Sequence, residues 1–189
     1  MDYKFIGIDT FGISRKARLK PRIFQCWFLH LKYLVDLLEK WSFSLPKNNE
    51  KILLDVGSGD NPPYHLLFKD KTKKILTLDP FARNVNISSP VEKIPLADES
   101  VDYILSTQTL EHIKNPFIAA NEIRRVLKTN GQAFISTHGI WEIHRIPKDY
   151  WRFTPDGILE LFHDFREIQI IPNGGTILCI GQLIKVMCT

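Results

Sequence analysis

Two glycines and two aspartates in the first half of the sequence have the types and spacing of a nucleotide-binding turn. Gly57 and Gly59 follow a short apolar run, where residues without a Cβ allow a sharp turn and let a ligand approach the backbone. Asp79 ends the next apolar run, 24 residues after Asp55, close to the roughly 20-residue offset at which an acid meets ribose hydroxyls. We predict that Asp79 accepts hydrogen bonds from a ribose and that Asp55 either braces the loop or meets an amino group of the ligand.

The residues after the turn argue against a diphosphate cofactor. The dinucleotide fingerprint requires a glycine at position 62, where this chain has Pro62, and Pro63 follows it. Proline offers no N–H to a pyrophosphate, whereas an adenosine ligand without phosphates still fits. Taken alone, each aspartate is more typical of a helix cap or a solvated strand end. Two acids that end successive strands around one glycine turn favour a binding site.

A second group of candidate residues lies in the segment 137–155, THGIWEIHRIPKDYWRFTP. This segment is longer than a connection in such a fold requires, and long connections in compact domains are usually functional. Its aromatic and charged side chains suit sugar rings or other polar cyclic substrates, although the aromatic ones are as typical of packing onto a sheet. The candidate substrate residues are Trp141, His144, Tyr150 and Arg152.

Three histidines are candidate bases, because histidine titrates near physiological pH. They are His112, His138 and His144, and each is expected near the carboxyl end of a strand. His112 is also typical of a structural residue at a helix start. No Ser-His-Asp set and no cysteine spacing typical of metal ligands accompanies them, so the sequence predicts no metal site.

Alternating strands and helices must position these residues. Apolar runs predict strands at 51–57, 73–80, 84–88, 101–107, 132–138 and 165–171, and amphipathic segments predict helices at 23–43, 62–68, 116–127 and 155–162. Gly131 is expected to end the third helix and Thr154 to cap the fourth. This order predicts an α/β fold with an open, mostly parallel sheet that binds ligands at the carboxyl ends of its strands.

Length and composition favour one soluble domain with an appendage. We predict a basic segment and helix in residues 1–50, acting as a cap or substrate lid, and a ligand-binding domain in residues 51–189. The net charge of +4 does not demand a nucleic-acid partner. Three cysteines, Cys26, Cys179 and Cys188, fit a reducing compartment, so a cytoplasmic protein is expected.

Two terminal segments could instead contact a membrane surface. Five basic residues lie within residues 15–22, ahead of an apolar helix, and residues 176–188 are almost entirely apolar. The favoured alternative is that the helix covers the core. The sequence leaves the oligomeric state open.

Over about residues 51–171, the chain resembles class I S-adenosylmethionine-dependent methyltransferases of the subgroup with a methyltransferase type 11 domain. LLDVGSGD resembles the glycine-rich first motif of that family, and LDP at 78–80 its ribose acid. Residues 91–116 resemble its adenine-side loop, fourth strand and next helix start, and residues 122–137 its following helix and fifth strand. The four blocks stand in the family's order and spacing.

The resemblance implies a three-layer αβα Rossmann-like methyltransferase fold and S-adenosylmethionine as cofactor. It places the turn residues along the methionine part, Asp79 on both ribose hydroxyls, and Thr107 and Gln108 at the sulfonium end. The full implied set is Asp55, Gly57, Ser58, Gly59, Asp79, Pro80, Val91, Glu92, Thr107 and Gln108, with Val91 and Glu92 near the adenine.

The sequence departs from the family pattern at three places. Asn61 stands where a further glycine is common, and Pro90 replaces the aspartate that commonly binds the adenine amino group. Residues 173–189 either supply the usual seventh strand or form a helix, in which case the sheet lacks that edge; we favour the helix.

The predicted function is methyl transfer to a small-molecule or glycan-linked acceptor, because DYWRFTP resembles a segment of methyltransferase-like proteins associated with glycan assembly. A cofactor-binding or scaffold module without turnover is the alternative. Such a transfer mainly requires alignment of the acceptor, so a catalytic base is optional.

Overall fold

Four parallel strands form the centre of the structure, a computed structural model that describes residues 18–20, 28–47, 50–141, 143–145 and 147–172. The strands stand in the order β2-β1-β3-β4, so all four carboxyl ends lie at one edge of the sheet. The elements are α1 (Phe28–Ser44), β1 (Ile52–Val56), β2 (Lys74–Leu78), β3 (Val101–Thr107), α2 (Pro116–Val126), β4 (Leu127–Ser136) and α3 (Pro155–Leu161), with 3₁₀ turns at His65–Phe68 and Leu110–His112.

Helices cover both faces of this sheet. Successive strand residues point to opposite faces, so the continuous apolar runs of β1 and β3 serve two cores. On one face, Leu53 and Leu105 pack with Leu38 of α1. On the other face, Leu54 and Ile104 pack with α2 and α3. The predicted three-layer α/β architecture is confirmed.

The apolar stripe of α1 packs on the core. Leu34 and Leu38 are buried, and the Trp41 ring lies 5.2 Å from that of Phe68 and 5.5 Å from that of Phe134. The described part of α1 therefore covers the sheet, as the favoured alternative to a membrane contact predicted. Nowhere in the described ranges is a helix long and apolar enough to cross a bilayer.

Several predictions concern residues outside the described ranges. They are the basic run at 15–22 apart from residues 18–20, the terminal segment 173–189 with its strand-or-helix alternative, and all three cysteines.

The segments 62–68 and 84–88 do not form the predicted helix and strand. Only a 3₁₀ turn at His65–Phe68 is present, because a residue that precedes proline avoids the α region and Pro62 precedes Pro63. In the second segment, Ile87 makes a single bridge with Leu78, while the Asn86 side chain accepts from the backbone N–H of Thr77. A hydrogen bond from the backbone to the Asn86 side chain therefore takes the place of a continuous backbone hydrogen-bond ladder with β2.

Gly131 and residues 165–171 also differ from the prediction. Helix α2 ends at Val126, because Leu127 already pairs with Val101, and Gly131 lies inside the irregular start of β4. Residues 165–171 form no strand: Phe165 and Ile168 pack on the core, but Ile170 and Ile171 are exposed. An alternating pattern cannot distinguish an extended segment from a paired strand.

Candidate functional site

A cavity of about 740 Å³ lies at the carboxyl ends of the strands, where the sequence predicted a ligand. Two of the predicted residues, Asp55 and Arg152, are absent from its wall. The predicted residues that line it are Gly57, Ser58, Gly59, Asp79, Pro80, Val91, Glu92, Thr107, Gln108, His112, His138, Trp141, His144 and Tyr150. Residues from α1, among them His30 and Leu34, complete the wall.

The two glycines of the turn after β1 are required for different reasons. Gly57 has a φ of 72°, its N–H donates to the Leu78 carbonyl at 2.8 Å, and a Cβ there would lie 2.2 Å from Thr109 Oγ1. Gly59 has a φ of 63°, but a Cβ there would have no atom within 4 Å. The turn therefore packs tightly at Gly57 and leaves open space above Gly59, on the cavity side.

Asp79 fastens the turn after β2 to the glycine turn. Its Oδ2 accepts from the Gly59 N–H at 3.1 Å, and its Oδ1 accepts from the N–H groups of Phe81 at 2.8 Å and Ala82 at 3.0 Å. A carboxylate has about four acceptor positions, so about one remains, on Oδ2. The geometry suits a hydrogen bond with one ribose hydroxyl better than the predicted bond with two.

Asp55 lies behind the cavity. The carboxylate is buried, and its Oδ2 lies 2.7 Å from Nε2 of His65 in the following 3₁₀ turn. Burial raises the pKa of Asp55, although the hydrogen bond and charge of His65 oppose the shift. Of the two predicted roles, this position favours the brace of the loop.

Gln108 follows β3 in a strained conformation at the cavity wall. Its φ is 54°, and such values for residues other than glycine concentrate at functional sites. Backbone and side-chain N–H groups of Gln108 both donate to Ser136, at 2.9 Å each. Gln108 lines the cavity, but its Oε1 is buried and has no hydrogen-bond partner among the described residues.

Imidazole and indole rings fill the opposite end of the cavity. The His138 ring stacks on Trp141 with centroids 4.4 Å apart, and the His30 ring lies 4.9 Å from Trp141. Burial lowers the pKa of His30 to about 4. Burial and the neighbouring His30 lower that of His138 to about 2. Both rings are therefore neutral at physiological pH.

Glu111 lies outside the cavity wall and contacts the residues that form this end of it. The side chain is fully buried, its Oε2 accepts from Thr137 Oγ1 at 2.9 Å, and its Oε1 lies 3.3 Å from His138 Nε2. Burial raises the pKa of Glu111 to about 7. The Glu111 carbonyl also accepts from the backbone N–H groups of Tyr150 and Trp151, which fixes the 137–155 connection over the site.

Arg152 does not line the cavity but contacts Asp149, which in turn lies next to the cavity residue His144. Its guanidinium pairs with both oxygens of Asp149, and Asp149 Oδ2 lies 3.4 Å from His144 Nδ1. Burial opposes ionisation of Asp149, but the hydrogen bonds from Arg152 and from the His144 backbone hold its pKa at about 2. The His144 and His112 Nε2 atoms lie 3.2 Å apart, while His112 Nδ1 contacts the Lys148 carbonyl.

The sequence did not indicate three of these residues. Glu111 stands in the LEH motif, but only the fold shows that its side chain is buried beside His138. His30 belongs to α1, more than 100 residues from its ring neighbours. Asp149 could have been found from its spacing of three residues to Arg152, a distance at which opposite charges often pair.

The fold and the cavity together define a class I Rossmann-like domain with its site at the strand ends. Among solved structures, YcgJ of Bacillus subtilis has a TM-score of 0.58 at 19% identity, with 67% of this chain and 66% of that chain covered. An S-adenosylmethionine-dependent methyltransferase of Thermotoga maritima has a TM-score of 0.52 at 22% identity, with 73% of each chain covered. At these identities, the likeness establishes the fold.

Sequence comparisons find a similar domain in part of the chain. Residues 54–135 match the family model described as "Methyltransferase domain". A methyltransferase of Mycobacterium leprae, itself named as uncharacterized, is 33% identical over 104 residues, which are 48% of this chain and 38% of that protein. The chain therefore spans less than half the length of this relative. Over residues 54–135, less than half of this chain, the sequence is similar to a methyltransferase domain, and the fold is similar to that of an S-adenosylmethionine-dependent methyltransferase.

Proposed function

We propose that the protein transfers a methyl group from S-adenosylmethionine to a small-molecule or glycan-linked acceptor. One observation carries the proposal: the glycine turn, the acid after β2 and the imidazole-rich connection line the same cavity. Its volume of about 740 Å³ lies within the roughly 300–1,000 Å³ of small-molecule sites.

The residues at the glycine-turn end fit the cofactor. Open space above Gly59 accommodates a ligand against the backbone, and Asp79 Oδ2 retains an acceptor position for a ribose hydroxyl. Val91 is buried at the wall and offers an apolar surface to an adenine, next to Glu92. Gln108 also lines the cavity, but its side chain would have to turn before the buried Oε1 could reach the amino group of the methionine part.

At the other end, the residues suit the acceptor. When bound, S-adenosylmethionine supplies a methyl group on a positively charged sulfonium, so the protein has to align the acceptor and exclude water. His30 and His138 are neutral and do not repel that charge. The half-exposed Tyr150 offers a ring face on which a sugar or another cyclic acceptor can stack, whereas Trp141 lines the cavity with His138 stacked on one of its faces.

The predicted bases differ in how well they can take a proton. The strongly lowered pKa of His138 makes that ring a poor base, and burial also lowers the pKa of His112. Glu111, with a pKa raised to about 7, is better matched to proton transfer near neutral pH. Glu111 does not line the cavity, so in a chain without a bound metal ion the proton of a hydroxyl acceptor would reach it only through His138, whose Nε2 lies 3.3 Å from Glu111 Oε1.

Calorimetric titration with S-adenosylhomocysteine tests the cofactor part of this proposal. We expect saturable heat with a dissociation constant in the micromolar range, where each factor of ten corresponds to about 1.4 kcal/mol. No heat at high micromolar concentration contradicts the proposal. Transfer of a labelled methyl group into extract fractions then separates an enzyme from the alternative scaffold, which would bind the cofactor and methylate no fraction.

A further inference from the structure

The proposed acceptor end contains a set of donor atoms that the methyl transfer does not require. One donor atom each of Glu111, His138 and His144 lies within 4.8 Å of the others. Glu111 lies in the 3₁₀ turn after β3, whereas His138 and His144 lie in the 137–155 connection. All three side chains are almost completely buried, with exposed fractions of 0%, 7% and 10%. The separation of 3.3 Å between Glu111 Oε1 and His138 Nε2 is close to the roughly 3.4 Å between tetrahedral ligands at 2.0–2.2 Å from one ion.

The Glu111 carboxylate points to a cation independently of this spacing. Its Oε1 is buried, and the contact with His138 lacks the alignment of a hydrogen bond, so this oxygen has no hydrogen-bond partner among the described residues. A buried acceptor without a partner destabilises the folded state, and the effect is larger if the acceptor is charged. A bound cation would remove that effect.

The surroundings of His144 resemble the outer shell of a metal site. Metal-bound histidines usually donate their second ring N–H to a carboxylate or a backbone carbonyl, which fixes the tautomer. Asp149 Oδ2 lies 3.4 Å from His144 Nδ1, and Arg152 orients that carboxylate through both of its oxygens. The Nε2 atom of His144 lies 3.2 Å from Nε2 of His112, so an ion bound through this nitrogen would replace the contact between the two rings.

We propose that Glu111, His138 and His144 bind a divalent transition-metal ion, and that zinc suits this donor set best. Two imidazoles and one carboxylate form the ligand set of several catalytic zinc sites, in which a fourth position stays open for water or substrate. Magnesium prefers oxygen ligands and is a poor match.

The chemistry of the side chains agrees with this assignment. Imidazole binds a metal through an unprotonated ring nitrogen, and a carboxylate binds in its ionised form. Arg152 lies close by, but its charge is matched by Asp149 in a direct ion pair. The site thus combines neutral nitrogen donors with one carboxylate.

The site also suggests a substrate class. His138 and His144 line the cavity, so an open metal position there would bind an acceptor oxygen, as in a hydroxyl or a pair of neighbouring hydroxyls. This last step rests on the proposed function, whereas binding of the ion does not.

Zinc binding by the whole chain tests the proposal directly. The protein is stripped with a chelator, dialysed and titrated with zinc, cobalt or magnesium, while stoichiometry is read by elemental analysis and geometry by the visible spectrum of cobalt. We expect about one zinc per chain, a cobalt spectrum of low coordination number, and no comparable magnesium binding. Glu111→Gln and His138→Gln should each weaken zinc binding at least about a hundredfold, and Asp149→Asn about ten- to a hundredfold.

His163→Gln is the matched control, because that exposed histidine also lies beside a carboxylate, Asp164. It should bind zinc like the wild type. Every variant is also titrated with S-adenosylhomocysteine, whose binding reports an intact fold. No zinc binding by a wild type that binds the cofactor product overturns the metal site and leaves the proposed function standing. Unchanged zinc binding in the Glu111 and His138 variants also overturns it, since the ion would then lie elsewhere.

The reverse result, stoichiometric zinc at these ligands without any binding of S-adenosylhomocysteine by the wild type, supports the metal site. It contradicts the proposed methyl transfer and with it the assignment of the open position to a methyl acceptor.

Discussion

At the scale of single residues, Asp79 combines two tasks that substitution can separate. Its carboxylate braces two turns through three backbone N–H groups and keeps about one acceptor position, which we propose for a ribose hydroxyl. We predict that Asp79→Asn weakens S-adenosylhomocysteine binding about tenfold to a hundredfold, because a hydrogen bond to a charged group contributes about 1.5–3 kcal/mol. Calorimetry measures the change.

Asp60→Asn is the matched control for this loop. Asp60 Oδ1 accepts from the backbone N–H groups of Arg83 and Asn84, at 2.6 and 3.0 Å, but Asp60 is not part of the cavity wall. This variant should keep the wild-type affinity. Equal losses in both variants would mean that loop bracing alone explains the effect and that Asp79 does not touch the cofactor.

Gly57 and Gly59 should respond differently to the same substitution. Gly57→Ala places a Cβ 2.2 Å from Thr109 Oγ1 and 2.4 Å from its Cγ2, in addition to a left-handed φ, so we expect a loss of stability of about 2–4 kcal/mol. Gly59→Ala carries only the conformational cost, about 1–2 kcal/mol, but it adds a methyl group to a residue that lines the cavity.

Urea unfolding and calorimetry on the two variants test this difference. Gly57→Ala should mainly lower the free energy of unfolding, and Gly59→Ala should mainly weaken S-adenosylhomocysteine binding. If Gly59→Ala binds the ligand like the wild type, the cofactor does not pass over Gly59.

The two ends of the site differ in how far the sequence could predict them. The cofactor end depends on short motifs, the turn at 57–59 and the acid that ends β2, so local patterns were sufficient to indicate it. The other end brings together His30, Glu111 and His138, which no single motif contains. Only the packing of α1 and the return of the 137–155 connection over Glu111 make them neighbours.

At the scale of elements, helix α3 depends on a cap that the sequence predicted correctly. The Thr154 Oγ1 accepts from the Gly157 N–H at 3.1 Å, ahead of a helix whose Leu161 is buried in the core. We predict that Thr154→Ala lowers the free energy of unfolding by about 1 kcal/mol, because one N–H of the first turn loses its partner.

Thr154→Ser keeps the capping oxygen and should remain within about 0.5 kcal/mol of the wild type in the same urea titration. An equal loss in both variants would assign the effect to the methyl group of Thr154. Cofactor affinity should not change in either variant, because Thr154 does not line the cavity.

Predictions of strands were correct where the apolar sequence pattern coincides with pairing to a neighbouring strand. Val101–Thr107 matches its prediction at both ends, because a run buried on both faces has no alternative to a central strand. The segments 84–88 and 165–171 carry apolar residues at similar spacing, yet no continuous strand edge pairs with them among the described residues. Pairing is a tertiary property, and neither segment encodes its partner.

At the scale of the whole molecule, opposite edges of the sheet serve different purposes. The carboxyl ends carry the cavity, whereas the other edge is held by Asp102 at the start of β3. Its buried carboxylate accepts from the Ile52 N–H at 3.0 Å and pairs with Lys51 at 2.9 Å and Lys128 at 3.0 Å. One side chain thereby ties three of the four strands together, remote from the ligand.

Burial opposes ionisation of Asp102, but the hydrogen bonds from Ile52, Lys51 and Lys128 lower its pKa below the ordinary value of 3.8. A carboxyl whose pKa falls on folding stabilises the folded state fully above its unfolded pKa, and this contribution disappears as the pH falls through the folded pKa. We predict that Asp102→Asn lowers the free energy of unfolding by about 1–3 kcal/mol between pH 5 and pH 7, and that the difference shrinks only below about pH 3.8.

Asp98→Asn is the control for Asp102→Asn, because Asp98 pairs with Arg125 while its side chain is 76% exposed, and such pairs contribute about 0–1 kcal/mol. Both variants should bind S-adenosylhomocysteine like the wild type at neutral pH. A higher dissociation constant for S-adenosylhomocysteine in Asp102→Asn than in the wild type would mean that the two edges of the sheet are coupled. The prediction that Asp102 affects stability but not ligand binding would then be wrong, even if the loss of stability follows the expected pH dependence.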